Sequence, residues 1–520
     1  MIKLNKFITA FFVKRKGGKK MITKRSKWSY AIGCTGRDLC YTLVSLFLLT
    51  YIQFTNLVND VQFLVLSVII VLCRVWDAVN DPMMGTIISN TRSRFGKYRP
   101  WLLIGAITNA VVLIVMFGVR VDVTNNIDTL GWWNVLILGL GYFIWEMTFT
   151  MNDVSYWSLL PVLAEDKRDR DKLTTMVAVF ASVGAFAAGG LVPMLTTGNA
   201  ITAYRLIGII FALVFLVCQI MIFFMVRDNK ENKFMIEIDK NAPKEKGTTL
   251  KDMFKILFRN KQLLAMAVVV LFYSLGSAIL NAFGQNFFYF KFGYEGNFMF
   301  IFTVMYAIGT IVSQALFPVL SAKWKRNQIV KVSLIILTIG YILFFLFSII
   351  NVNPNLAFIL LCISGVFVFV GQGFFYLTML IMLTNTIEYD EWQTGERNDE
   401  IIFSVRPFMV KLAGAIQYLV VAVTLVACGL YSITEKIGEY ENLISTNPDK
   451  RPEYLVEINN LLSGTSQGQF IGLVSAMTLI PVLLFIGCYF VLKKKYIIDE
   501  ELYDKMVKEI AERKEVKAND

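Results

Sequence analysis

Histidine is absent from the 520 residues. That excludes imidazole metal ligands and imidazole proton relays, and leaves carboxylates to hold a proton or a cation. Cysteine is scarce. The seven present (Cys34, Cys40, Cys73, Cys218, Cys362, Cys428 and Cys488) fall in apolar stretches and form no CxxC pair. They read as core residues, not as disulfides or zinc ligands. Charge is thin as well: 17% of residues are charged and 56% hydrophobic, where a soluble globular chain is nearer to about 45–50% apolar. No phosphate-binding loop is visible, nor a nucleophile held by a base, so an enzyme is not expected.

What is present is a series of apolar runs of about 20 residues, the mark of an all-α polytopic membrane protein with no room for a large soluble domain. The net charge of +12 does not indicate nucleic acid. The Lys and Arg sit in alternate loops, which is the positive-inside pattern and puts both termini in the cytoplasm of a cell-membrane protein. The runs predict twelve spans at about 28–54, 61–88, 100–120, 132–160, 173–196, 204–227, 261–289, 298–320, 329–350, 357–385, 401–432 and 469–492. The domain reading follows: a basic cytoplasmic tail (1–27, with Met21 an alternative start), a six-helix half (28–227), a Lys-rich cytoplasmic linker (228–260), a second six-helix half (261–492) and a charged cytoplasmic tail (493–520). In that last tail Ile498, Leu502, Met506 and Ile510 recur every four residues, which predicts a short amphipathic helix. The 388–400 segment reads as an acidic loop and 433–468 as a long external one. Ala181, Ala185 and Gly189 repeat at the four-residue spacing that lets membrane helices approach closely.

Charges inside the spans are the functional signal, because each is costly and normally faces a cavity or a partner. Span 2 carries Arg74, Asp77 and Asp81. Two carboxylates four residues apart stack on one helix face roughly 6 Å apart. They repel unless a cation or proton lies between them. Asn80 adds a neutral oxygen, and oxygen donors suit a hard cation such as Na⁺. Span 1 carries Arg37 and Asp38, span 4 Glu146 and Asp153, and span 11 Arg406 and Lys411. On span 4, Glu146, Thr150, Asp153 and Trp157 share a face. Trp157, one turn from Asp153, is a sugar-binding combination: the ring covers the apolar face of a pyranose and the carboxylate accepts from its hydroxyls. Five acids against Arg37, Arg74, Arg406 and Lys411 leave a negative core that a cation would relieve.

The segment Arg74-Val75-Trp76-Asp77-Ala78-Val79-Asn80-Asp81-Pro82-Met83-Met84-Gly85, followed by Asn90-Thr91-Arg92-Ser93-Arg94-Phe95-Gly96-Lys97-Tyr98-Arg99-Pro100-Trp101, resembles the signature of the glycoside–pentoside–hexuronide:cation symporters. These form the melibiose-permease-like branch of the major facilitator superfamily, and the likeness runs from about Trp28 into span 12. It implies the facilitator fold of twelve helices in two six-helix halves. It implies symport of a small-molecule sugar with Na⁺ or H⁺ across the lipid bilayer, with no other cofactor and as a monomer. By it, Asp77, Asn80, Asp81 and Thr150 resemble cation-site residues, with Glu146 beside them. Asp38, Asp153 and Trp157 resemble sugar-site residues, with Arg37 next to them. Lys411 matches a helix-11 lysine that links the halves and is counted with the substrate-binding residues, and Arg74 and Arg406 form a gating charge network.

Two departures stand out. Met176-Val177-Ala178-Val179-Phe180 lacks the arginine that melibiose-type members place against the sugar. Glu146 stands where that branch has glycine. It is open to three roles: a latch to Lys411, the carrier of a coupling proton, or an acid facing the lumen. The rival readings are a facilitator-fold H⁺-coupled or lipid transporter and a membrane sugar sensor that moves nothing.

Overall fold

The computed structural model describes residues 23–91, 93, 95–164, 167–226 and 250–519. The tail up to residue 22 with Met21, most of the linker (227–249), Arg92, Arg94, Glu165 and Asp166 lie outside them.

The chain is helical throughout this range. The amino-terminal half contains α1 (Lys24–Phe54), α2 (Asp60–Ser89), α3 (Arg99–Gly118), α4 (Ile127–Leu163), α5 (Lys167–Thr196) and α6 (Ala200–Met225). A short helix, α7 (Leu250–Arg259), precedes the second half. That half has α8 (Lys261–Phe292), α9 (Asn297–Ser321), α10 (Arg326–Ile349), α11 (Pro354–Thr394), α12 (Asp399–Ala427) and α15 (Gln467–Lys495). Between α12 and α15 stand α13 (Tyr431–Thr446), a single 3₁₀ turn and α14 (Arg451–Ser463); α16 (Glu500–Asn519) ends the chain. Twelve of these helices are long and apolar enough to cross a membrane. Large apolar side chains such as Leu72, Val111, Val217, Phe224 and Leu483 are exposed along their outer faces. That surface belongs in lipid, where only a helix satisfies its own backbone polar groups.

The packing repeats. In the first half α1 packs on α5 and α6, α3 on α4 and α6, and α2 on α4. Six spans later α8 packs on α12 and α15, α10 on α11 and α15, and α9 on α11. Each pairing thus has a counterpart at the same offset. The halves meet chiefly through α2 against α12 and α5 against α9.

The alternation of short connections puts residues 55–59, 119–126, 197–199, 293–296 and 428–466 on one face, and the amino- and carboxy-terminal helix ends on the other. On the first face the halves are sealed. Phe54 lies 5.3 Å from Tyr289, and the hydroxyls of Thr197 and Tyr289 are 2.6 Å apart. The tightest approach of a glycine to another helix's backbone within a half, among the described residues, is one residue off the small-residue stripe. A Cβ on Gly184 would fall 2.3 Å from the carbonyl oxygen of Thr35 on α1. Backbone cannot yield there, so Gly184→Val should lower the thermal unfolding midpoint in detergent by an overpacking cost of at least ~1–3 kcal/mol. An unchanged midpoint would place α5 further from α1.

Several expected boundaries move. Residues 24–27 are helical and run on into α1, and 250–259 of the linker form α7. The expected 388–400 loop is helical to Thr394. Its acids are satisfied in place: Asp390 pairs with Arg259 at 3.1 Å and Glu391 with Arg397 at 2.8 Å. The helix then stops at Gly395, whose φ of 74° suits a residue without Cβ. The long 433–468 loop is mostly α13 and α14, because Tyr431, Thr434, Ile437, Gly438, Glu441 and Ile444 bury one helical face. The amphipathic tail helix is present as α16, with Ile498 just before it and Met506 buried against Tyr389.

Candidate functional site

Four helices converge on a cavity of about 180 Å³ between the halves. α1 contributes Arg37, Asp38 and Tyr41, α2 contributes Asp77, and α12 contributes Lys411. From α4 come Glu146, Phe149, Thr150 and Asp153, one helical face as the spacing predicts.

Lys411 is the junction. Its Nζ lies 2.7 Å from Asp77 Oδ2 and 2.6 Å from Asp81 Oδ2. Asp77 Oδ1 also accepts from the Thr150 hydroxyl at 2.6 Å. One carboxylate is therefore held by α2, α4 and α12 together. The two stacked acids are brought together by an ammonium from the other half, and Lys411 itself lines the cavity. Asp77 is deep, with 8% of its side chain exposed, whereas Asp81 is 30% exposed.

Arg37 organises the second cluster. Its guanidinium meets Asp38 at 3.0 Å and Asp153 at 2.9 Å. It also lies 4.6 Å from the Tyr156 ring and 5.0 Å from the Trp157 ring. Trp157 itself is 42% exposed, so part of its surface is open beside Asp153. Tyr41 and Phe149 stack at 5.3 Å and line the wall between the two clusters.

Arg74 does not neutralise Asp77. It donates to the Tyr142 hydroxyl at 2.8 Å, lies 3.8 Å from Glu146 Oε1 and stacks over Tyr418 of α12 at 4.9 Å. Glu146 therefore faces Arg74 of its own half, and the ion pair of Lys411 goes to Asp77 and Asp81 in place of the latch to Glu146. Arg406 sits apart, donating to Tyr376 within the second half. Asn80 is buried with its Nδ2 unpartnered and is not among the cavity-lining residues. Counting Asp81 and Arg74 with the cavity, five carboxylates face three cations, a formal charge of 3 − 5 = −2.

Sequence reasoning missed Tyr41, Tyr142 and Tyr418. Tyr418 donates to the carbonyls of Val44 and Ser45 on α1 at 2.7 and 3.0 Å, tying α12 to the first half. Its spacing of seven from Lys411 puts it on the same helical face, which is the signal that was available. Tyr41, one turn after Arg37, carries the same signal.

A family model described as MFS/sugar transport protein matches residues 29–500. The lactose permease of Lactobacillus delbrueckii subsp. bulgaricus is 27% identical over 78% of this chain and 63% of its own length. The raffinose carrier protein of Pediococcus pentosaceus is 27% identical over 77% of this chain and 62% of its own length. The chain thus spans less than two thirds of these curated relatives. The glucuronide carrier protein homolog of Escherichia coli is 23% identical over 76% of this chain and 82% of its own. Among solved structures, a bacterial homolog of the human lysosomal transporter Spinster, inward-facing and unoccupied, has a TM-score of 0.62 at 12% identity and covers 92% of this chain and 100% of that one. The nucleoside transporter NupG has a TM-score of 0.58 at 11% identity, over 89% of this chain and 99% of its own. At such identities the likeness is one of fold.

Proposed function

The chain belongs to the MFS/sugar transport protein family, of the glycoside–pentoside–hexuronide type with the major facilitator fold, and from that premise we propose that it is a sugar:cation symporter of the cell membrane. The observation that carries this reading is the bridge from Lys411 to Asp77 and Asp81 across the halves, on the same cavity as Arg37 and Asp153. Both clusters border the same small space, so occupancy of one bears on the other.

The bridge supports a simple cycle. Asp77, Asp81 and the Thr150 hydroxyl offer oxygens suited to Na⁺, and the two acids equally suit a proton. With the site empty, Lys411 takes the cation's place between the two acids. An arriving Na⁺ or H⁺ displaces the ammonium, which loosens α12 from α2. Sugar then sits between Asp153 and Arg37, which accept from and donate to its hydroxyls, with the Trp157 ring against its apolar face. Alternating access around this midplane site follows the logic of repeat-built transporters. The terminus-bearing face is read as cytoplasmic, from the basic residues there, and the sealed face as external. Glu146 remains the candidate for a proton role, through its contact with Arg74 and so with Tyr418.

Counterflow in proteoliposomes tests translocation without any ion gradient. A loaded β-galactoside, α-galactoside or glucuronide should drive entry of its labelled counterpart; binding without counterflow for all three would favour a sensor. Asp153→Asn should weaken sugar binding about 10- to 100-fold, because an amide replaces a charge-assisted acceptor worth ~1.5–3 kcal/mol. Cation binding should be spared, since Asp153 lies in the Arg37 cluster. Unchanged sugar affinity would remove Asp153 from the site.

A further inference from the structure

The insertion between α12 and α15 lies across the sealed face and grips both halves. Glu441 of α13 is 1% exposed. Its Oε2 accepts from the backbone N–H of Ala200 at the start of α6, at 2.8 Å. Its Oε1 accepts from the hydroxyl of Tyr294, between α8 and α9, at 2.7 Å. One carboxylate therefore joins the amino-terminal half to the carboxy-terminal half. The surrounding contacts repeat the pattern. Arg451 of α14 donates to the Gly198 carbonyl at 2.9 Å, and Tyr431 donates to the Val58 carbonyl at 2.8 Å. Tyr294 N–H donates to Asn459 at 2.9 Å. A Cβ on Gly438 would fall 2.6 Å from the backbone nitrogen of Asn56, so α13 lies close on the end of α1.

Parting the halves at this face must withdraw Glu441 from Ala200 or from Tyr294 and bring it into water. We propose that residues 431–463 form a proton-sensitive clasp, with Glu441 as its pin, so that acidification of the medium on this side holds the two halves shut. The clasp rests on the reading that the halves rock apart here.

The electrostatics support the sign. Burial pushes Glu441 up to about 7, against the opposing pull of the Tyr294 hydroxyl, the Ala200 and Gly198 N–H groups and Arg451. Tyr289 of α8 also faces it, and the end of α1 brings no charged side chain. On the same helix, Glu435 is pushed up to about 7 by burial and then by Asp60, Glu439 and Asp128, with Lys436 opposing. Asp60 and Asp128 begin α2 and α4, so acids face acids across the halves. A carboxyl raised in the closed form binds its proton there and releases it on exposure. The closed form is thus favoured below pH of about 7 and loses that advantage as pH rises through it.

Spin labels at Asn125→Cys and Asn351→Cys, on exposed loops of the two halves at this face, read the gap in nanodiscs with neither sugar nor gradient; Cys218, Cys362 and Cys428 are replaced beforehand. The ratio of open to closed populations should rise roughly tenfold or more from pH 5 to pH 8, one pKa unit being a tenfold change. Glu441→Gln, neutral at every pH, should keep most molecules closed and flatten the response. Glu435→Gln should remove a part of it, which serves as the test if the first variant does not fold. A wild-type ratio that is constant with pH, or a full response in Glu441→Gln, would overturn the clasp. Counterflow with a flat response overturns the clasp alone; a pH-dependent gap with no counterflow overturns the transport reading alone.

Discussion

Lys411→Gln is expected to cut net sugar accumulation by at least about 100-fold while sugar exchange in saturating cation stays within a few-fold of wild type. The ammonium is the only positive group within 4 Å of Asp77 and Asp81 among the described residues. Removing one partner of a buried pair strands the other at ~3–5 kcal/mol, about 10²–10⁴ in population. Only one stage of the proposed cycle needs that partner: the return of the empty carrier, when no cation neutralises the two acids. With cation bound the acids are satisfied without Lys411, so exchange survives. Cation affinity in Lys411→Gln should equal or exceed wild type, because an internal competitor has gone. A variant that has lost exchange and net uptake alike would make Lys411 a structural strut.

The second large effect falls on Asp77, and the geometry ranks it above Asp81. Asp77 is fixed from two other helices, by Lys411 and by Thr150, and is nearly buried. Asp81 meets Lys411 alone among the described contacts and is partly open. Asp77→Asn should abolish the stimulation of sugar binding by cation, a loss of 100-fold or more in cation affinity, since an amide brings a donor where a cation needs an acceptor. Asp81→Asn should weaken the same stimulation less. Binding of cation and sugar, titrated separately in detergent, checks both. Equal effects, or a larger one at Asp81, would reverse the assignment of the inner ligand.

Much of this arrangement was legible in the chain. The apolar runs gave the spans to within about six residues except the end of the tenth, which runs on to Thr394, and the paired acids of α2 and the Glu146–Thr150–Asp153 face of α4 come together as helical spacing requires. What the spacing could not give was the partner across the interface. Whether Lys411 meets Glu146 or the α2 acids depends on the rotation of α12 against α2, a tertiary quantity. The partners of Arg74 lie in the same class. Arg74 stands three residues before Asp77, but helical side chains lean toward the amino terminus. A long arginine therefore reaches away from Asp77, toward Tyr142 and Tyr418. The α13–α14 insertion was hidden by its polarity. Its buried stripe is narrow and includes Thr434, Gly438 and Glu441, residues that do not register as a core.

The most direct test is uptake into energised vesicles with Na⁺ and pH gradients imposed one at a time. A glycoside should accumulate above its outside concentration under one of these gradients. Only equilibration should remain when that gradient is collapsed, and interior-negative potential should raise accumulation further, by ~2.3 kcal/mol per charge per 100 mV. Under a pH gradient, Glu146→Gln would also show whether that acid carries the proton. Equilibration alone under both gradients, with the sugar still exchanging, would contradict cation coupling and leave a facilitator.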